Sequence, residues 1–406
     1  MSASIDTRSL APGDVFYALR GAQHDGHDFV EAALAAGAAS AVIARSEAAR
    51  FPAPLAACLR PVDDPLLALQ QDARQHRRAW GGPLVAITGS AGKTTTKEMI
   101  ATVLATRLRV LKSGGNYNNH LGVPLTLLAL RPEHQVAVVE MGMNHAGEIA
   151  TLAALAEPTL GVFTNVGAAH LGNFASVDAI AEAKRELARA IPPSGTLLLN
   201  RDDRRVAAFG SGFGGRVVWY GAGDFKGELL LPGHHNRANA AAAAATGALF
   251  GVAAADAALA LARFAPLPGR GEVLHPRGMT FIHDCYNANP EAMAQMLTVL
   301  ASLPAARHIA VLGEMRELGA ASPRLHREVG AQAAAARLDA LWAVGAGARA
   351  ILEGARTAGF TAVAFWAADA AAAAAQLRSF LQSGDAVLFK ASRAVHLEDA
   401  LKELLG

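Results

Sequence analysis

The segment Leu84-Val-Ala-Ile-Thr-Gly-Ser-Ala-Gly-Lys-Thr-Thr-Thr96 carries the most specific chemistry in this chain. A short apolar run ends in a glycine turn, Gly89, Ser90, Ala91 and Gly92, and Lys93, Thr94 and Thr95 then open a helix. A turn of this kind aims successive backbone N–H groups at phosphate oxygens. The start of the helix adds a partial positive charge. Lys93 is long enough to reach β- and γ-phosphates, and the Thr94 hydroxyl suits Mg²⁺. The common eight-residue loop has glycine at the position of Ile87, so the loop here is the shorter G-x-x-G-K-T. Phosphoryl transfer also needs an acid at the end of a neighbouring strand. Val136-Ala-Val-Val-Glu140 supplies Glu140, which taken alone reads equally well as a strand-end carboxylate facing water.

Four other polar clusters follow apolar runs. Glu140-Met-Gly-Met-Asn-His145 brings Asn144 and His145, and Thr164-Asn-Val-Gly-Ala-Ala-His170 brings Asn165 and His170. In α/β sheets ligands gather at the carboxyl ends of strands, so these groups are expected beside the phosphate loop. Gly114-Gly-Asn-Tyr-Asn-Asn-His120 concentrates Asn116, Asn118 and Asn119, whose amides suit a peptide-like or zwitterionic ligand. The same residues are common in turns. Asp284-Cys-Tyr-Asn-Ala-Asn289, with Asn287 and Asn289, repeats the theme. Asn236 and Asn239 share a helix face, to cap the helix or to read a base edge. Lys184 lies in Glu182-Ala-Lys-Arg-Glu186, which composition alone reads as a solvated helix face.

The elements that must carry these groups form three compositional blocks in 406 residues: 1–83, 84–268 and 269–406. The first is a small α/β unit closed by a basic helix (70–78) and a Gly81-Gly82-Pro83 break. In the second, apolar runs at 84–88, 136–140, 161–165 and 196–199 alternate with helices near 93–108, 146–156 and 176–190. Short strands at 217–220 and 227–231 precede an alanine-rich helix at 236–250. That alternation predicts a parallel sheet around the phosphate loop. The third block predicts a hairpin at Arg277-Gly278, then helices and strands in turn to residue 405, a doubly wound Rossmann-like domain without G-x-G-x-x-G. A domain hinge is expected near 266–269.

Composition narrows the functional classes. Lys+Arg is 37 against Asp+Glu 35, so nothing favours nucleic acid. No run is long and apolar enough for a transmembrane helix. The start MSASIDTRSL lacks a signal-peptide pattern, and two cysteines cannot build a disulfide framework. The expectation is a cytoplasmic enzyme acting as a monomer, without nucleic acid or membrane insertion.

Taken together, the strings resemble the Mur ligase family over nearly the whole chain. Thr88-Gly-Ser-Ala-Gly-Lys-Thr-Thr95 is similar to the family's shortened ATP loop. Asn116-Tyr-Asn-Asn119, Gly122-Val-Pro124 and Glu140-Met-Gly-Met143 resemble the member that joins D-alanyl-D-alanine to UDP-N-acetylmuramoyl-tripeptide. The Asp-Asn-Pro-Arg motif of a sister enzyme has Asn287-Ala-Asn-Pro-Glu291 in its place. The resemblance implies an ATP-driven amide ligase of peptidoglycan precursor synthesis that passes through an acyl phosphate. It implies ATP and Mg²⁺ at Lys93 and Thr94, further metal contacts at Glu140 and His170, and a carbamylated Lys184 for a second Mg²⁺. It implies adenine contacts at Asn236 and Asn239, nucleotide contacts at Arg270 and Asp284, and a uridine-nucleotide site at Asp6, Thr7, Arg8, Asp25, Gly26 and His27. His145 becomes a candidate base for the incoming amine. Family members reach the Asp6 motif after a few dozen residues, so an early strand–helix segment is expected to be absent here. Two rivals stay open: another amide ligase of this type, such as a folylpolyglutamate synthase, and a nucleotide-binding protein that does not ligate.

Overall fold

The computed structural model describes residues 2–406 and holds three α/β domains, each built on its own sheet. In the first, β1 (Ala3–Ser4), β2 (Val15–Tyr17), α1 (Val30–Ala35), β3 (Ser40–Ala44) and β4 (Leu59–Val62) form a parallel sheet in that strand order. Helix α2 (Pro65–Trp80) closes it. This helix starts earlier than its basic stretch suggests, because Asp64 caps it by accepting from Leu66 N and Leu67 N, with Pro65 in its first turn. The two outer strands, β1 and β4, are too short and too mixed in polarity to stand out in sequence.

The second sheet contains β5 (Leu84–Thr88), β6 (Val110–Lys112), β7 (Val136–Glu140), β8 (Leu160–Phe163), β9 (Thr196–Asn200) and β10 (Arg216–Tyr220). Its order is β10-β9-β8-β5-β7-β6, all parallel. β5 and β7 are wholly buried, as their unbroken apolar sequences require. The helices are α3 (Lys93–Leu104), α4 (Gly122–Leu128), α5 (Glu148–Ala156), α6 (Val177–Ala190), α7 (Arg204–Ala207), α8 (His234–Leu249) and α9 (Ala254–Ala262). The alanine run of α8 is packing surface: Ala240, Ala242 and Ala243 are fully buried in one core with Ile100 and Val103 of α3.

The expected strand at 227–231 does not form. Only Leu231 of its two terminal leucines is buried, while Leu230 is exposed. The backbone carbonyls of Phe225 and Gly227 accept hydrogen bonds from the Arg237 guanidinium, which removes the need for a partner strand. Helix α4 was hidden in the asparagine-rich stretch, and β6 and α9 also escaped the sequence reading.

The third sheet has the order β11-β12-β16-β13-β14-β15. It runs β11 (Glu272–Leu274), β12 (Thr280–Asp284), α10 (Pro290–Ser302), β13 (Arg307–Gly313), α11 (Ser322–Ala335), β14 (Ala340–Val344), α12 (Arg349–Thr357), β15 (Val363–Ala367), α13 (Ala370–Phe380), β16 (Asp385–Lys390) and α14 (Leu397–Leu405). The β11–β12 pair is the antiparallel hairpin expected at Arg277-Gly278, and the remaining pairs are parallel.

One buried core joins the first two domains: Tyr17, Val42, Leu69 and Ala73 pack with Leu84, Val123, Leu127 and Phe163. The Arg77 guanidinium of α2 also donates to Ala156 O at the end of α5. Among the described residues, no helix is long and apolar enough to cross a membrane.

Candidate active site

The carboxyl ends of β5, β7, β8 and β9 open into a cavity of about 650 Å³ that the third domain closes from the other side. Its floor is the phosphate loop. Gly92 has φ +78°, and a Cβ there would sit 2.8 Å from Asn239 Oδ1, so both backbone shape and space demand glycine. Lys93 Nζ donates to Gly89 O at 2.9 Å, folding the lysine over the turn. Half-burial pulls the Lys93 ammonium below the ordinary lysine range; Glu140 opposes that shift and Arg270 adds to it. Ser90, Ala91 and Thr95 line the cavity around it.

Thr94 Oγ1 donates to Glu140 Oε2 at 2.7 Å, and Asn118 Nδ2 donates to Glu140 Oε1 at 2.8 Å. Glu140 is therefore a buried strand-end acid held by two elements, and the solvent-facing alternative is excluded. Asn116, Asn119 and Asn144 line the same cavity, and Asn119 Oδ1 also accepts from Gly122 N at the start of α4. His145 does not line it: its ring is two-thirds exposed and faces Glu148 at 3.1 Å. The loop after β8 braces the phosphate loop, since Asn165 Oδ1 accepts from Ala91 N and Thr164 Oγ1 donates to Ala91 O. His170, with φ +62°, lies 2.5 Å from Glu317 of the third domain.

Lys184 is 3 % exposed and does not line the cavity. The reading of its helix as a solvated face fails at this residue, because α6 turns its Ile180–Lys184–Leu187 side into the core. No hydrogen bond or ion pair engages its amine among the described residues. Burial first, and then the charge of Lys93, depress its pKa well below that of an ordinary lysine.

From the other side, Asn239 Oδ1 accepts from Thr96 Oγ1 at 3.1 Å, and Asn236 Oδ1 accepts from Asn239 Nδ2 at 3.2 Å. The Arg270 guanidinium stacks 3.7 Å above the Tyr286 ring. Asp284 pairs with Lys390 at 2.5 Å, and Lys390 also donates to Asn287 O. Asn289 caps α10 through Ala292 N. His235, in the same wall, is held near pKa 4 by burial.

Two buried lysines are given no role by the sequence reading. Lys97, fully buried, donates to Ser113 O at 2.8 Å and pairs with Glu98, which ties α3 to the asparagine loop. Lys390 sits at the end of β16, one residue ahead of the Ala391 turn. Nothing in local composition separates either from a surface lysine.

A second cavity, about 920 Å³, lies in the first domain. Asp6, Thr7, Arg8, Gly26 and His27 line it, and Tyr117 and His120 enter it from the asparagine loop. Asp25 stays out of the lining and works on the backbone. Despite partial burial, its carboxylate is held at about 2 by the His27 backbone and ring N–H groups and by Arg20. Ala44 N donates to His27 Nε2, so the buried His27 ring is fixed from both nitrogens.

Three family models match successive parts of the chain: "Mur ligase family, catalytic domain" over residues 2–77, "Mur ligase middle domain" over 87–228, and "Mur ligase, glutamate ligase domain" over 269–393. A UDP-N-acetylmuramoyl-tripeptide–D-alanyl-D-alanine ligase from Synechocystis is 39 % identical, covering 99 % of this chain and 91 % of that protein. The chain belongs to the Mur ligase family. The Escherichia coli K12 protein of the same name is 35 % identical over 99 % of this chain and 93 % of its own length. Among solved structures, a crystal structure of MurF from Acinetobacter baumannii superimposes with a TM-score of 0.88 at 33 % identity. It covers all of this chain, which spans 93 % of that one. The MurF ligase of Thermotoga maritima in complex with ADP matches with a TM-score of 0.84 at 27 % identity, over 99 % and 96 % of the two chains. As a Mur ligase the chain is an ATP-dependent amide ligase.

Proposed function

We propose that this Mur ligase joins D-alanyl-D-alanine to the terminal carboxylate of a UDP-N-acetylmuramoyl-tripeptide, with ATP hydrolysed to ADP and phosphate. The observation that carries this reading is the Thr94–Glu140–Asn118 junction, where the phosphate loop, the strand-end acid and the asparagine loop meet at 2.7 and 2.8 Å. The names of the full-length relatives support the same substrates.

In this reading the tripeptide carboxylate attacks the γ-phosphate of ATP and becomes an acyl phosphate. The amine of D-alanyl-D-alanine then attacks the acyl carbon, an amide forms, and phosphate leaves with the C–O electrons. Such transfers depend on positioning and charge neutralisation. Lys93 and the loop N–H groups hold the phosphates; Asn116 and Asn118 face the acceptor peptide. Asn236, Asn239, Arg270 and Asp284 hold the nucleotide between the second and third domains, which close about a hinge near 266–269. The first-domain cavity, with Asp6, Thr7, Arg8, Gly26 and His27 on its walls and Asp25 behind, takes the uridine nucleotide. His145 faces solvent beside Glu148, so the base for the incoming amine is sought elsewhere in the wall.

The residues also suit magnesium. Mg²⁺ favours one or two carboxylates completed by substrate phosphates and water, not a cage of protein ligands. Thr94 and Glu140 offer that set, and His170 stands at the rim. When bound, the ions neutralise charge developing on the transferred phosphoryl group. Lys184 is suited to carbamylation: a buried amine with a depressed pKa is neutral and nucleophilic. On addition to carbon dioxide its nitrogen gains a carboxylate and loses a proton, giving an anion for a second Mg²⁺.

The test is a product assay with ATP, UDP-N-acetylmuramoyl-tripeptide and a panel of D-alanyl-D-alanine, D-glutamate and L-glutamate. A mass-identified UDP-muramoyl-pentapeptide with D-alanyl-D-alanine alone is expected. A glutamate adduct favours the folylpolyglutamate-type rival, and ADP without any amide product favours a non-ligating role.

A further inference from the structure

Glu291 stands where the sister enzyme's motif carries arginine, and the catalytic scheme makes no use of it. It lies in the first turn of α10, in the third domain, yet its Oε1 accepts from Ala168 N in the second domain at 2.8 Å. The approach is shaped for it. A Cβ on Gly167 would fall 2.5 Å from the Glu291 carboxyl carbon, so any side chain at 167 would displace the carboxylate from this place. The Ala168 side chain is itself buried in the third domain's core, with Met293 and Leu297.

The segment that Glu291 grips is tied directly to the phosphate loop. Gly167 N donates to Ser90 Oγ at 2.9 Å, and Ser90 Oγ donates back to Gly167 O at 3.1 Å. Ser90 N donates to Asn165 O at 2.9 Å, and Asn165 Oδ1 accepts from Ala91 N. An unbroken hydrogen-bonded path therefore runs from α10 through 165–168 to the turn beneath Lys93. Gly172 N to Glu317 O, at 2.8 Å, is a second tie between the same loop and the third domain.

We propose that Glu291 is a positioning residue: its carboxylate docks the third domain onto the 165–168 segment and sets the phosphate loop for phosphoryl transfer. The inference rests on the ligase reading above. It concerns a neutral backbone donor, so what counts is an acceptor oxygen at this place, not the negative charge. Glu291→Gln keeps that oxygen and Glu291→Ala removes it.

The experiment measures kcat and KM for ATP in the ligation assay, with wild type alongside to establish the ligase reading by itself. Glu291→Ala is expected to lower kcat about tenfold, the effect of weakening one transition-state positioning contact by about 1.4 kcal/mol. Its KM for ATP and thermal midpoint should stay near wild type, because Glu291 is exposed and touches no nucleotide. Glu291→Gln should recover most of the kcat. Gly167→Ala, which crowds the carboxylate out, should mimic Glu291→Ala. Wild-type kcat in Glu291→Ala overturns the proposal, and so does an equal loss in Glu291→Gln and Glu291→Ala. If wild type itself forms no amide, the ligase reading fails instead.

Discussion

Lys93 and Lys184 are both half- or fully buried cations with depressed pKa values, and the reading gives them opposite fates. Lys93 must stay charged to hold phosphates. Because its folded-state pKa is lowered, its charge is lost as pH rises at a point below the 10.5 of an ordinary lysine. The kcat/KM for ATP should therefore fall on the alkaline side earlier than that value suggests, and a pH–rate profile checks it. Lys93→Ala should lose about a hundredfold or more in kcat, the scale of removing one preorganised charge-stabilising donor. Lys184 should instead act uncharged, then carbamylated. Lys184→Ala should lose at least about tenfold in activity and regain part of it with added short carboxylic acids. No rescue, together with full wild-type activity in bicarbonate-free buffer, contradicts carbamylation.

At the scale of elements, the strand–turn–helix of the phosphate loop was legible because its period, its glycines and its helix start all agree. A Gly92→Ala change should cost about 1–3 kcal/mol from the left-handed backbone and the Asn239 contact. Calorimetric titration should find nucleotide binding lost along with it; normal affinity would show that the turn does not cradle phosphate. The β-α alternation of the third domain was equally readable, down to β14 at Ala340–Val344. What escaped was set by tertiary contact. Three-residue β6 and two-residue β1 exist because a neighbouring strand pairs with them. The stretch 227–231 reads as a strand, yet Arg237 takes the Phe225 and Gly227 carbonyls and Leu231 alone of its last two leucines is buried. The core position of Lys184 depends on which face α6 turns inward, which local composition does not encode. Glu140 was legible as a strand end, whereas its two hydrogen-bond partners needed the fold.

At the scale of the molecule, the first two domains share a core, while the third meets the second through Ala168 in its own core and through contacts such as Glu291 to Ala168 and His170 to Glu317. In the proposed reading, opening of the third domain is the motion that admits nucleotide. His235 lies at that interface, near Asp284 and Lys390, with its pKa lowered from 6.5 to about 4. A depressed folded-state pKa means the unfolded chain binds the extra proton first. The stability contributed by neutral His235 is present above pH 6.5 and is lost as pH falls toward 4, by at most about 3 kcal/mol. The thermal midpoint should decline through that window and flatten in His235→Asn. An unchanged slope in the variant assigns the decline to other groups.

The central claim is ligation through an acyl phosphate, and oxygen-18 in the tripeptide's terminal carboxylate reads it most directly. Run with ATP and D-alanyl-D-alanine, one labelled oxygen should appear in the released phosphate for each amide formed, by mass spectrometry. Phosphate free of label, or label retained in full by the peptide, would contradict the account.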